Sequence, residues 1–245
     1  MRMLSKSDFI IPEWPAPSNI KAIQTTRSGG ISVAPYDSLN LGSHVQDDTL
    51  AVAKNRQFIS KYLPSEPVWL NQVHGVDVID AAKSTSVQDA DASYSKNKNV
   101  VCVTMTADCL PVLLCNKEGT AVSSIHAGWR SLCNGVIEVT IKEMGVEPED
   151  LMAWLGPAIG PGAFEVGGEV REAFIAKDNQ AEMAFVASGN KWLGDLYLIA
   201  KQRLNKQGVN QIYGGKECTY SNPSRYFSFR RDGVTGRMAT MIWFE

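Results

Sequence analysis

The sequence predicts an α/β protein of the α+β kind, a single compact domain over residues 1–245 in which layered mixed β-sheets are covered by helices. Three observations carry this prediction. Short β-branched, apolar runs recur along the chain among stretches of helical periodicity. The two kinds do not alternate strictly, which argues for mixed sheets rather than a doubly wound parallel sheet. No repeat or low-complexity linker divides the chain, and Pro and Gly are scattered as turn markers.

Taken in order, Ile20 to Thr26 reads as a strand that ends in the turn Ser28-Gly29-Gly30. Asp48 caps a helix running through Lys61, with Leu50, Ala53, Phe58 and Leu63 as its apolar stripe and Pro64 as its stop. Val68 to Leu70 and Val76 to Ile79 are β-type runs flanking Asn71-Gln72-Val73-His74-Gly75. Val100 to Met105, Pro111 to Cys115 and Ala121 to Ile125 are three further strands. Asn134 is the expected N-cap of a helix with Val136, Ile137, Ile141 and Met144 on one face, ending at Gly145. Met152 to Leu155 reads as a strand, Glu169 to Ala176 and Leu196 to Lys206 as helices, and Arg237 to Phe244 as a closing strand.

Composition limits the partners. A formal net charge of −2, with 44% hydrophobic and 20% charged residues, describes an ordinary globular chain without a field for nucleic acid or anionic membranes. Arg230-Arg231 is the only adjacent arginine pair, too little for a basic patch. Met1 to Pro17 lacks the apolar core of a secretory leader, and no apolar stretch approaches the roughly 20 residues that span a bilayer. Five cysteines without framework spacing fit reduced thiols, hence a cytoplasmic location. No coiled-coil pattern stands out, so a monomer is expected.

The chemistry concentrates in few residues. Of three histidines, His74 and His126 follow apolar strand-like runs, and Cys109 follows another. Side chains at strand ends beside glycine turns can be aimed at one point, and two imidazoles with a thiolate suit Zn²⁺. Three protein ligands leave one position open, as catalytic zinc sites do. The separations of 35 and 17 residues match no local zinc motif, so spacing alone does not establish convergence. Cys102 and Cys115 lie within apolar runs and read as core, Cys133 and Cys218 have no evident role, and His44 reads as a loop residue or a support for the ligands. A metal-free alternative makes Cys109 a nucleophile with His126 or His74 as its base, which suits amide chemistry.

Seven blocks carry a resemblance: Thr25-Thr26-Arg27-Ser28-Gly29-Gly30, Leu39-Asn40-Leu41-Gly42, Asn71-Gln72-Val73-His74-Gly75, Ala107-Asp108-Cys109-Leu110-Pro111, His126-Ala127-Gly128-Trp129-Arg130, Gly156-Pro157-Ala158-Ile159-Gly160-Pro161 and Phe229-Arg230-Arg231-Asp232-Gly233. In this order they resemble the YfiH/YlmD family, also called laccase-domain or polyphenol-oxidase-like. The resemblance implies a fold similar to the catalytic domain of cytotoxic necrotizing factor toxins, with His74, Cys109 and His126 on the family's metal ligands. It also implies a zinc-dependent purine nucleoside enzyme. The expected reactions are phosphorolysis of adenosine, inosine, guanosine and methylthioadenosine, and hydrolytic deamination of adenosine. Two other readings attach to the family, a copper polyphenol oxidase and an amidase that edits peptidoglycan precursors.

The residues weigh these readings. A multicopper oxidase needs many imidazoles, which three histidines cannot supply, although a His₂Cys site with Met105 as axial ligand would bind Cu²⁺. Deamination suits tri-ligated zinc, but the H-x-E…P-C-x-x-C deaminase signature is absent. Asp108 and Glu165 are therefore the candidate proton carriers, or else residues that orient ligands. Phosphorolysis needs an anion site, for which Arg27, Arg130 and Arg230 are candidates against the plainer reading of surface ion pairs. Asn40 and Asn71 would orient ribose hydroxyls or water, or simply shape turns. Asp108 and Arg130 are the expected catalytic pair.

Overall fold

The computed structural model describes residues 8–245, so the reading of the N-terminal segment lies partly outside it. The first strands are β1 (Phe9–Ile10) and β2 (Ile20–Thr25), followed by α1 (Thr49–Ser60), β3 (Leu70–Asn71) and β4 (Val78–Asp80). Next come β5 (Gln88–Asp89), β6 (Ala92–Ser95), β7 (Cys102–Thr106), β8 (Leu110–Asn116) and β9 (Val122–Ala127). Helices α2 (Trp129–Asn134) and α3 (Val136–Met144) lead into β10 (Leu151–Leu155), β11 (Glu165–Val166) and α4 (Gly168–Lys177). The chain closes with β12 (Phe185–Ser188), β13 (Lys191–Gly194), α5 (Leu196–Lys206), β14 (Gln211–Gly214), α6 (Phe229–Asp232) and β15 (Met238–Phe244).

Two large sheets form the body. One is four-stranded in the order β1-β2-β15-β7, and the other six-stranded in the order β14-β10-β8-β9-β6-β4. The second is mixed, because β14 and β4 join parallel to β10 and β6 while its central pairs are antiparallel. Alternation along each strand assigns its side chains to layers. Leu113 and Cys115 of β8, with Met152 and Trp154 of β10, pack against Ala22, Cys102 and Ile242 of the four-stranded sheet. The neighbouring Val112, Leu114, Ala153 and Leu155 face the opposite way, onto Ile137 and Ile141 of α3 and Ile199 and Leu204 of α5. Strands buried on both faces read as continuous apolar runs, which is why β7 to β10 were legible. On the outer side, Ile59 of α1 covers Ile23, Val103 and Met241. The predicted mixed sheets covered by helices are thus the observed architecture.

Several local expectations are corrected. Helix α1 has the predicted length and its Asp48 side chain accepts from the Leu50 N–H, but Ala51, Val52, Asn55 and Ile59 form its buried face. Leu50 lies 77% exposed. The helix turns its polar Asn55 inward because that amide is fully used, donating to Ser32 Oγ, Ser38 O and Asn40 O and accepting from Ile31 N. Asn134 ends α2 rather than capping α3, and Gly135, at φ 100°, makes the break. Val68 makes only an isolated bridge, to Cys102, so β3 is shorter than the run around it suggests. No helix of the described residues is long and apolar enough to cross a membrane.

Candidate metal centre

The turn from β7 to β8 carries the chain from one large sheet to the other, and Cys109 sits in it. In the β8–β9 register Leu110 lies opposite Ala127 and Pro111 opposite His126, so Cys109 comes beside Gly128. His74 reaches the same point from the loop after β3. Cys109 Sγ lies 3.8 Å from His74 Nε2, and the two imidazole rings meet edge to face with centroids 4.8 Å apart. A Cβ on residue 128 would stand 2.9 Å from His74 Cδ2 and 3.2 Å from Cys109 Sγ, so only glycine leaves the ligands their place.

One residue that the sequence reading missed organises both histidines. Asp91, fully buried, accepts from His126 Nδ1 at 2.7 Å through Oδ1, which also accepts from the His74 N–H at 3.0 Å. Its Oδ2 accepts from the N–H groups of Val73 at 3.3 Å and Gly75 at 2.5 Å. His74 thereby holds φ 59°, a left-handed conformation costly for a residue with a side chain and stable only where surrounding bonds impose it. Gln72 supplies the other restraint, donating to Met105 O at 2.8 Å and accepting from Met105 N at 2.7 Å. With Nδ1 occupied by Asp91, His126 is left Nε2 as its ligand atom.

The three ligand atoms lie within 4.8 Å of one another. Tetrahedral zinc with bonds near 2.0–2.3 Å sets its ligand atoms roughly 3.3–3.6 Å apart, so the donors fit one tri-ligated ion. Their electrostatics agree. Burial pushes the Cys109 thiol up, but the His126 and then the His74 imidazoles outweigh it and bring it down to about 6. Burial works against the charged form of His126, and the Cys109 thiolate and Asp91 carboxylate reverse this, raising it to about 9. Burial also raises Asp91, and its bonds from His126 and the His74 and Gly75 N–H groups hold it below the usual carboxylate range.

A cavity of about 150 Å³ opens against Cys109, lined chiefly by the apolar Trp129, Ile159, Phe164, Leu196 and Phe229, with Arg230 at its wall. Asp108, at φ 94°, spends both carboxylate oxygens on this wall. Oδ1 accepts from Thr219 Oγ1 and Oδ2 from the Arg230 N–H, both at 2.6 Å, which anchors α6 and with it Phe229. Arg230 lies 5.7 Å from the Phe164 ring and donates to Glu165 O, whereas the Glu165 carboxylate turns to Lys191. The Arg130 guanidinium stacks 4.3 Å over Trp129 and has no hydrogen-bond or ion-pair partner among the described residues.

The other candidates lie elsewhere or are engaged. Arg27 donates to Asp37 O and Pro223 O, pairs with the Asp37 carboxylate and lines a separate polar cavity. Asn40 is buried and bonded to Gly42, Asp47 and the Arg237 N–H. Asn71 is exposed and donates to Asp89. Met105 Sδ faces Arg56 at 3.9 Å. Asp91 had one faint signal in the sequence, a carboxylate between Ala90 and Ala92 at the start of a strand.

Fold and site together define a layered α/β protein with, among the described residues, one His₂Cys group that could hold a metal ion at the edge of its sheets. Residues 21–245 match the family model described as multi-copper polyphenol oxidoreductase laccase, and the chain belongs to this family. An Escherichia coli relative, purine nucleoside phosphorylase YfiH, is 54% identical over 240 residues, covering 97% of this chain and 99% of that one. A Pseudomonas aeruginosa purine nucleoside phosphorylase is 50% identical over 239 residues, covering 97% and 98%. Among solved structures, a Neisseria meningitidis protein superposes with a TM-score of 0.95 at 47% identity, over 97% of this chain and 99% of that one. YlmD from Geobacillus stearothermophilus gives 0.90 at 28% identity, over 99% and 98%. The resemblance drawn from the seven blocks therefore holds. The family description speaks of several coppers, but the described residues hold one such His/Cys/Asp/Glu group, and His44 is the only histidine outside it.

Proposed function

We propose that this protein is a zinc-dependent purine nucleoside phosphorylase that also deaminates adenosine, acting at the His74–Cys109–His126 centre as a cytoplasmic monomer. The observation that carries the reading is the apolar, aromatic-walled cavity lying directly against Cys109. A flat, weakly polar ring such as a purine suits walls of Phe164, Phe229 and Trp129. The names of the relatives support the phosphorolysis part of this reading. Zinc is preferred to copper because two imidazoles, one thiolate and an open position make a hydrolytic rather than an oxidase site.

In phosphorolysis a phosphate oxygen bonds to C1′ as the C1′–N9 bond breaks; the electron pair leaves on N9, and a proton follows to the base. Bound zinc would supply Lewis acidity and water activation at its open position. The chain's own residues do the rest. Asp91 holds His126 and the His74 loop in register. Asp108 acts as a positioning residue, because its two anchoring bonds fix the cavity wall. Arg230 provides a cation at the cavity wall, and Arg130, stacked on the cavity-lining Trp129 and without a polar partner among the described residues, is a second candidate. Arg27, Asn40 and Asn71 enter as binding candidates on the resemblance alone.

The test is to incubate the zinc-loaded protein with adenosine, with and without phosphate, and resolve adenine, inosine and hypoxanthine. Phosphate-dependent adenine and phosphate-independent inosine are expected. If no product forms in either arm, the purine reading fails and the precursor-editing amidase takes its place. A metal-free protein that stays active and whose Cys109 is alkylated with loss of that activity would establish the thiol nucleophile instead.

A further inference from the structure

Three side chains beside the metal centre have no task in the account so far: Arg237, Arg56 and His44. The β15–β7 register sets Met238 opposite Thr106, which brings Arg237 alongside the turn that carries Asp108 and Cys109. Arg237 donates from Nη1 to the carbonyls of Thr235 and Gly236, and its guanidinium lies 5.8 Å from the Phe229 ring. Arg56 donates through Nε and Nη2 to Leu41 O and stacks 3.8 Å over Trp69. Neither guanidinium has a carboxylate in ion-pair contact among the described residues, although both are partly buried.

The loop from Asn40 to His44 binds the two together. Asn40 Oδ1 accepts from Arg237 N at 2.8 Å, and Leu41 N donates to Arg237 O at 3.1 Å. A Cβ on residue 42 would stand 2.7 Å from Arg237 Cγ, so Gly42 lets the arginine stem lie flat on the loop. His44 follows two residues on; it is exposed, and its imidazole is held below its ordinary range by partial desolvation, then by the charges of Arg237, Arg56 and His126. The loop thereby holds both arginines beside the β7 segment that leads to Asp108 and Cys109, with Arg56 Nη2 3.9 Å from Met105 Sδ and Arg237 next to Met238, which pairs with Thr106. Two partly buried arginines with no carboxylate in ion-pair contact are costly to keep, and an anion between them would offset that cost. By contrast, the fork of Arg27 is occupied by Asp37 and Pro223, and Arg230 is tied to Glu165 O.

We propose that Arg237, Arg56 and His44 form an oxyanion site beside the metal centre, and that its ligand is phosphate. The assignment rests on the phosphorylase reading, in which this is the co-substrate's place. Phe229 marks the boundary, since it lines the apolar cavity on one side and lies near Arg237 on the other. Base and anion would then approach the metal centre from neighbouring compartments.

The zinc-loaded protein is titrated with inorganic phosphate at constant ionic strength while the His44 imidazole is followed by NMR. With three histidines in the chain, a His44→Gln variant assigns the signal. A saturable shift is expected with phosphate and none with chloride; an equal shift with chloride overturns the site. In Arg237→Met and Arg56→Met the KM for phosphate should rise roughly tenfold or more, with the nucleoside KM within about twofold, and Arg237→Lys should recover part of the loss. An unchanged phosphate KM in both Met variants also overturns it. Should a variant fail to fold, the wild-type titration decides alone. Phosphate that binds at His44 and is weakened in the variants, without any nucleoside cleavage, keeps this site and removes the phosphorylase reading. Phosphorolysis that ignores both substitutions does the reverse.

Discussion

The Asp91 carboxylate accepts from one imidazole and from three consecutive backbone N–H groups, so its replacement tests the site without touching a ligand. In Asp91→Asn the amide has one acceptor oxygen in place of two and presents an NH₂ group to the others. Zinc affinity by chelator competition should fall about 10–100-fold, the usual cost of losing a bond behind a metal-bound histidine. An unchanged affinity in a folded variant would show that the ligands place themselves. Proton linkage gives a second residue-scale prediction. In the metal-free protein Cys109 is a thiolate above about pH 6, while His126 keeps its proton up to about 9. Metal binding in between must expel the imidazolium proton, so affinity should rise with pH across that window and level off near its top. Affinity flat between pH 6.5 and 8.5 would contradict the pairing.

Among the elements, α1 shows most clearly what a sequence pattern can and cannot show. Its cap at Asp48 and its end near Lys61 were legible from local chemistry, but its register was not, because the buried face contains Asn55. Replacing the buried Ile59 with Ala should cost about 2–5 kcal/mol in denaturant unfolding, whereas Leu50→Ala should stay within about 0.5 kcal/mol. Equal costs would restore the predicted stripe. The β12–β13 hairpin was hidden because its strands are only four residues each and half-exposed, although Gly189-Asn190 offered a turn signal. The residues expected to hold a metal were legible because all three fall within blocks that matched the family in order; Cys109 directly precedes the apolar strand β8 and His126 lies near the end of β9, whereas His74 sits in the loop after the short β3. Asp91, Arg237 and Arg56 were not, since their roles arise from pairings between distant elements that only the sheet order creates.

For the molecule as a whole, the two stacked sheets bring two loops and the end of β9, distant in sequence, to one edge, with the helices packed on the outer faces. Among the described residues this arrangement gathers one His/Cys/His group that could hold a metal, with an apolar cavity on one side and, on the other, arginines that make no ion-pair contact. It does not yield the imidazoles that several coppers would demand. The most direct test measures metal content and activity in one preparation: zinc per chain in the wild type and in Cys109→Ser, each assayed for phosphate-dependent release of adenine from adenosine. The account predicts about one zinc per chain with activity in the wild type, and loss of both together in Cys109→Ser. Several coppers per chain, or full adenine release from a protein without metal, would contradict it.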